Sequence, residues 1–543
     1  MPQNIRSIRS LLRTMVTALA MPMFFTVAPV TAQETEGPLS PAGRLRIEAR
    51  PTFHSWSNRF GDTGREPLAI DLIDPTGARL FPGISTLQDR LRDVLDAPGY
   101  TALLGSSSAY VSASQTRIPI RLDLGIRDWL SIGLNVPLVQ SRTEVAFSFR
   151  ADTTNANLGV SPAIRAPGEV LAFVGDVQAR ALAARSRADE ICAAQPGTPA
   201  CASALQVGQT GERILAGFVS AYGASPFFPL GGTPTAAALM DRVGAFNSGL
   251  VELGLTPLTS QPLFAQARLT RGDLDLLLTD PAVGLNTAPL ADRLGLWQLG
   301  DIEIQAVLRL IEGGTDGPVA GGALPGFTYQ VGAGVLVRLG TGTRDDPDIF
   351  LDLAGGDGQT DLEGRVFANV RSGRFGLWND LRYGVQRPTT ILRRIGPPDL
   401  VFVPAANRAV VRWTPGNYLQ LELVPRYHVT DAIAFTLGYS LFTKGEDEYE
   451  RIGTPIQTNG DGPLPTPPSY TDEALLEVGT DRTLHELGGG IVFSSLGAAR
   501  EGRARLPLEA RLGVHWGVAG SGQAPAGIRA VLGLRVFRTF WGN

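Results

Sequence analysis

Thr116 to Gln140 reads TRIPIRLDLGIRDWLSIGLNVPLVQ, and its alternation narrows the fold to two choices. Ile118, Ile120, Leu122, Leu124 and Ile126 share one face of an extended strand, with Arg117, Pro119, Arg121, Asp123 and Gly125 on the other. After a tight Arg127-Asp128-Trp129 turn, Ile132, Leu134, Val136 and Leu138 oppose Gly133, Asn135 and Pro137. Ordinary strands run about five or six residues, so this hairpin is unusually long. One home for it is a large soluble sandwich or barrel. The other is a transmembrane β-barrel, whose apolar face meets lipid while its polar face lines a lumen.

The pattern recurs along the chain. Leu45, Ile47 and Ala49 oppose Arg46, Glu48 and Arg50 in a first strand. From Leu299 onward, alternating stretches follow at 302–310, 327–338, 362–371, 375–385, 419–427, 433–441, 484–496, 506–516 and 528–540. Twelve strands are expected, or fourteen if Phe264–Leu269 and Asp273–Leu278 add a pair. Short or modest connections at 127–129, 314–325, 372–374, 429–431 and 498–502 alternate with mostly longer ones at 57–109, 150–296, 340–357, 388–414, 446–482 and 519–526. That sorting belongs to outer-membrane barrels, with short turns on the periplasmic side. The charged faces agree, because such residues hydrate in a wet lumen but would each cost several kcal/mol in a dry core. The expected fold is therefore all-β, a transmembrane antiparallel β-barrel with a large, partly helical insert.

The other signals are compatible. Charged residues make up 18% of the 543, below the roughly 25% usual for a soluble chain, and the mean hydropathy is close to zero. No basic run marks a nucleic-acid partner. Arg6, Arg9 and Arg13 precede an apolar run ending in Val30-Thr31-Ala32, which reads as a signal peptide cut after Ala32; export together with the barrel pattern gives the outer membrane of a Gram-negative-type bacterium as the expected location. The chain divides into that leader (1–32), a first barrel section (33–150), a helical insert (151–296) and the remaining strands (297–543). The long first loop carries a short helix near Ser85–Leu95. Within the insert, helical spacing occurs around Leu171–Ala184, Ala204–Phe218 and Thr235–Asn247. A connection of that length reads as a lid or plug, and Phe227 and Phe228 are its candidate contacts for an apolar solute, the alternative being that they pack against the insert's own helices. Cys192 and Cys201, the two cysteines of an exported chain, are expected to pair.

Leu124-Gly125-Ile126-Arg127-Asp128-Trp129-Leu130-Ser131-Ile132-Gly133-Leu134-Asn135-Val136-Pro137-Leu138 resembles a hairpin of the outer-membrane family filed as "MetA-pathway of phenol degradation". Leu299-Gly300-Asp301-Ile302-Glu303-Ile304 is similar to that family's Gly-Asp strand opening, and Leu339-Gly340-Thr341-Gly342-Thr343 to its P-x-G-x-G loop without the proline. The resemblance implies a porin-like uptake protein for hydrophobic compounds. The family name records a gene neighbourhood and implies no reaction, and the 151–296 insert departs from the compact family pattern. Phe540 or Trp541 resembles the terminal aromatic of barrel assembly signals, so the barrel assembly machinery, outer-membrane lipid and lipopolysaccharide are the expected partners.

Catalytic signatures are weak. The four histidines lie in separate strands without ligand spacing, there is no G-x-S-x-G elbow, and no metal or cofactor is expected. Asp345, Asp346, Asp348, Asp352 and Asp357 fall in one outer loop, by default a solvated one. The functional residues expected are the lumen charges: Arg117, Arg121, Asp123, Asp301, Glu303, Arg309, Glu363, Arg365, Glu422, Arg426, Glu509, Arg511, Arg529 and Arg535. Their mixed signs point to cross-lumen ion pairs. Three readings stay open: a channel for small, hydrophobic or aromatic solutes, a closed structural barrel, and a barrel-embedded hydrolase.

Overall fold

A computed structural model describes residues 37–73, 81, 83–151, 155–280, 285–314, 326–398, 400–453, 470–500 and 502–541. The leader, its cleavage site and most of the 314–325 link lie outside the described residues. Twelve strands close into one antiparallel barrel. They are β1 (Arg44–Ala49 continuing as Thr52–Trp56), β2 (Ser106–Arg127), β3 (Leu130–Arg150), β4 (Ile302–Gly314), β5 (Phe327–Leu339) and β6 (Asp361–Ser372). The circuit continues through β7 (Phe375–Gln386), β8 (Tyr418–His428), β9 (Ile433–Lys444), β10 (Arg482–Ser494), β11 (Leu508–Ser521) and β12 (Ile528–Thr539). β1 completes it by pairing with both β2 and β12. Its break falls at Pro51, beside Pro119 of β2, which itself faces Pro137 of β3. Proline supplies no N–H to a ladder, so the wall is irregular where these three meet.

The side chains sort as period 2 requires. Leu122, Leu134, Ile304, Val335, Val366, Leu381, Leu437, Ile491, Leu512 and Leu534 are exposed on the outside of the wall. A soluble protein does not leave so continuous an apolar band open to water; it is a lipid-facing surface. Trp129, Phe375, Tyr427, Phe540 and Trp541 are exposed at the short-turn end, where aromatic rings suit the membrane interface. The backbone N–H groups of Phe540 and Trp541 both donate to the Gly43 carbonyl, which ties the chain's end to the start of β1.

β2 and β3 have 22 and 21 residues, whereas about 9–11 suffice to cross a membrane. Their outer halves therefore project beyond the barrel and carry an apolar assembly. Leu158, Phe173, Phe218, Leu239, Phe246 and Phe402 belong to its single buried core. Its longer helices are α1 (Ile84–Leu95), α2 (Pro167–Ala194), α3 (Pro199–Ala224), α4 (Pro234–Glu252) and α5 (Arg271–Thr279). Thr198 and Thr233 cap α3 and α4, each followed by proline in the first turn, the usual grammar of a helix start. The Cys192–Cys201 disulfide forms across the α2–α3 turn, with Cα atoms 4.7 Å apart.

Two expectations are corrected here. Asp273–Leu278 is helical: Thr270 and Asp273 form a reciprocal capping box, and Leu274, Leu277 and Leu278 bury one helical face. The Asp-Leu-Asp-Leu lettering mimicked strand alternation, but the cap decided. Phe264–Leu269 makes only isolated bridges, through Ala265 and Arg268, so the barrel has twelve strands and not fourteen. Phe227 and Phe228, expected to meet a solute, are fully buried. Phe227 packs edge-on against Phe81 at 5.0 Å between ring centroids, and Phe228 stacks on Tyr222 at 4.4 Å. Their apolar area is spent on the assembly's own core.

Candidate functional site: the barrel lumen

Alternation places an arginine or a carboxylate on the inner face of nearly every strand, and strand pairing sets which of them meet. Arg46 of β1 lies opposite Asp123 of β2, 2.8 Å apart and both almost wholly buried. Asp123 also accepts from Arg121 Nε at 3.1 Å and from Gln305 Nε2 at 2.7 Å, which satisfies a carboxylate that would otherwise be costly to bury. Further round, Asp380 bridges Arg365 and Arg382. Arg338 joins Glu303 at 3.2 Å and Asp361 at 2.7 Å. Arg529 pairs with Glu486, and Arg535 with Glu48 and Glu509 at 3.2 and 3.5 Å.

The expected lumen residues occupy different situations. Arg117 approaches Glu303 at 3.6 Å. Glu363 accepts from the Tyr418 hydroxyl at 2.8 Å. Arg426 is buried, while Arg511 and Glu422 are half-buried. Arg309 pairs with Glu312 along its own strand at 2.5 Å, near the end of β4. Asp301 does a different job: it accepts from the backbone N–H groups of Gly342 at 2.7 Å and Asp357 at 3.0 Å, clipping the two arms of the β5–β6 loop together. Arg46, Glu48, Arg338, Asp361, Asp380, Arg382 and Glu486 were absent from the expected set. The signal for Asp380 and Arg382 was available, since Trp378, Asp380 and Arg382 alternate with Leu377, Asn379, Leu381 and Tyr383 along β7.

No periodicity pointed to the segment before β1. Gly37–Pro41 lies inside the barrel at its short-turn end. Leu39 is 1% exposed and packs into an inward-facing apolar belt of Val307, Phe367, Trp378 and Val424. The Arg46 guanidinium, anchored on Asp123, donates to the carbonyls of Gly37 at 2.9 Å and Pro38 at 2.8 Å. Ser40 exchanges hydrogen bonds with the Ser131 hydroxyl at 2.8 and 3.1 Å. Gly125 is needed for this approach, because a Cβ there would sit 1.9 Å from the Pro41 carbonyl oxygen.

The opposite end is narrowed by the β5–β6 loop, which reaches the inward face of the long hairpin. Gln115 donates to the Ala354 carbonyl at 3.2 Å and Thr143 to that of Leu351 at 3.1 Å. The acidic residues of this loop are engaged: Asp348 by Arg394 and Arg408, and Asp345 by Arg393. Asp352 accepts from the backbone N–H of Asp346. Among the described residues, no group of three or more His, Cys, Asp or Glu side chains is arranged to hold a metal.

No protein-family model matches the chain, and no curated protein matches it. The family likeness of the hairpin therefore rests on its short motifs alone. Among solved structures, an outer membrane channel from Pseudomonas putida F1 aligns over 93% of this chain and 100% of that one, at 7% identity and a TM-score of 0.39. The P. putida toluene transporter TodX aligns over 93% and 92%, at 8% identity and 0.25. A Pseudomonas aeruginosa FadL homologue aligns over 92% and 90%, at 10% identity and 0.23. At such scores the alignments decide nothing about this chain.

Proposed function

We propose that this protein is an outer-membrane channel for small solutes, held shut at its periplasmic end by its own Gly37–Pro41 segment. The observation that carries the reading is the manner of closure. The wall is a closed barrel with a lipid-facing exterior, and its short-turn end is filled by a peptide docked through one apolar side chain and a few hydrogen bonds. A barrel serving only as an anchor has no use for a separate peptide docked so lightly beneath a lumen lined with charges. The insert and its neighbouring loops form an outer lid framework, rigid because it owns a hydrophobic core.

Single-channel recording in planar bilayers tests this. Deleting residues 37–41 should raise conductance above that of the full chain, with heat-modifiable assembly retained. An assembled deletion variant with unchanged conductance would leave a sealed structural barrel as the reading.

A further inference from the structure

Most lumen carboxylates are already committed to an arginine. Asp123, Glu303, Asp361, Asp380, Glu486, Glu48 and Glu509 each contact one directly. Arg50 and Arg511 are not so committed. Among the described residues, neither Arg50 of β1 nor Arg511 of β11 has a carboxylate at ion-pair distance. Glu422 faces both through space, surrounded by Arg50, Arg382, Arg511 and Arg529, without touching any of them. Arg511 has Arg426 and Arg50 for neighbours on one side of the charge balance and Glu509 and Glu422 on the other, and Glu509 is already engaged by Arg535.

Arg50, Glu422, Thr436, Arg511 and His515 line one recess in the lumen wall. Gly438 and Gly513 keep its floor low, and a Cβ at the neighbouring Gly488 would fall 2.4 Å from His515 Nδ1. That nitrogen is buried and has no hydrogen-bond partner. The free space is about 20 Å³, room for about one water, so that one carboxylate oxygen and not a whole solute would enter it. Guanidinium groups bind planar carboxylates through charge-assisted, often bidentate, hydrogen bonds. A narrow lumen walled by protein strengthens such contacts relative to open water. The nearby Glu422 opposes a second negative charge, so the recess suits a monoanion.

We propose that Arg50 and Arg511 form a carboxylate-binding station in the lumen, and that the solutes are small organic acids carrying one carboxylate. The assignment of solute class rests on the channel reading above; the binding station does not. The test is calorimetric titration of the full chain in detergent with sodium propionate and with propionamide, its neutral counterpart. Proteoliposome swelling with the same two probes runs alongside.

Propionate should bind and propionamide should not. Arg50→Gln and Arg511→Gln should each weaken propionate at least tenfold, whereas Arg511→Lys should retain part of the affinity. Equal binding of the two probes by the native chain, or propionate binding untouched by both glutamine variants, overturns the proposal. Should neither glutamine variant form a heat-modifiable barrel, the native propionate–propionamide difference decides alone. Arginine-dependent binding without swelling for either probe, even when residues 37–41 are deleted, upholds the station and refutes the channel. Swelling that is equal for both probes, without selective binding, does the reverse.

Discussion

Leu39→Ala is the sharpest probe of the stopper. Leu39 is 1% exposed among Val307, Phe367, Trp378 and Val424, so truncating it removes nearly all of the segment's apolar contact and leaves the hydrogen bonds of Arg46 and Ser131 in place. Buried Leu→Ala changes cost about 2–5 kcal/mol. The lower part of that range applies, because the belt can rehydrate from the lumen. A loss of about 2–3 kcal/mol shifts the docked-to-released ratio roughly 30- to 140-fold, at 1.4 kcal/mol per decade. The described cysteines are both in the disulfide, so Ser40→Cys introduces a single reporter thiol. Its labelling by a membrane-impermeant maleimide reads the released fraction. Labelling should be slow with Leu39 present and accelerate by that factor with Leu39→Ala, and single-channel open time should rise in parallel. Equal labelling rates in the two backgrounds, with assembly intact, would refute the idea that Leu39 holds the segment in place.

Three further outcomes are expected. Leu437, 67% exposed on the outer face, should not tolerate arginine: Leu437→Arg costs about 2–4 kcal/mol near mid-membrane and should abolish heat-modifiable assembly, whereas Thr436→Arg, facing the hydrated lumen, should insert; equal behaviour would mean that the faces are wrongly assigned. Breaking the Cys192–Cys201 bond, which closes a loop with a sequence separation of 9, should loosen the α2–α3 hairpin by about 2–3 kcal/mol, seen as faster proteolysis of the insert with the barrel intact. Burial, then the nearby Asp361 carboxylate, pushes the Asp357 carboxyl up to about 6. A folded-state value above the unfolded one means that the folded loop binds more protons between about pH 4 and 6, so its stability falls as pH rises through that window. Protection factors in 341–358, with the intrinsic pH dependence of amide exchange divided out, should therefore be higher at pH 5 than at pH 7.5, and Asp357→Asn should erase that difference; an unchanged pH dependence of protection in that variant would place the effect elsewhere.

The barrel wall was legible because side-chain placement on a strand is a local property. Once Ile120 and Leu122 point one way, Arg121 and Asp123 must point the other, and no distant partner is consulted. Loop sorting, the helices of the insert and the proximity of its two cysteines were readable for the same reason: each depends on residues near one another in the chain. Where two local signals competed, as at Thr270–Leu278, the capping geometry prevailed over alternation, and only the folded chain showed which.

What the tertiary structure alone decided is everything set by register across the lumen. Arg46 meets Asp123 77 positions away, and Arg535 meets Glu48 across the barrel's closure, because closing a sheet fixes which rungs face one another. That same closure leaves Arg50 and Arg511 without a direct ion pair, although in the sequence they look no different from their paired neighbours. Phe227 and Phe228 could be recognised as apolar but not as buried, since burial depends on what packs above them. Gly37–Pro41 has no pattern at all: its position comes from the Val307–Phe367–Trp378–Val424 belt, four residues of four different strands that become a single surface only when the barrel closes.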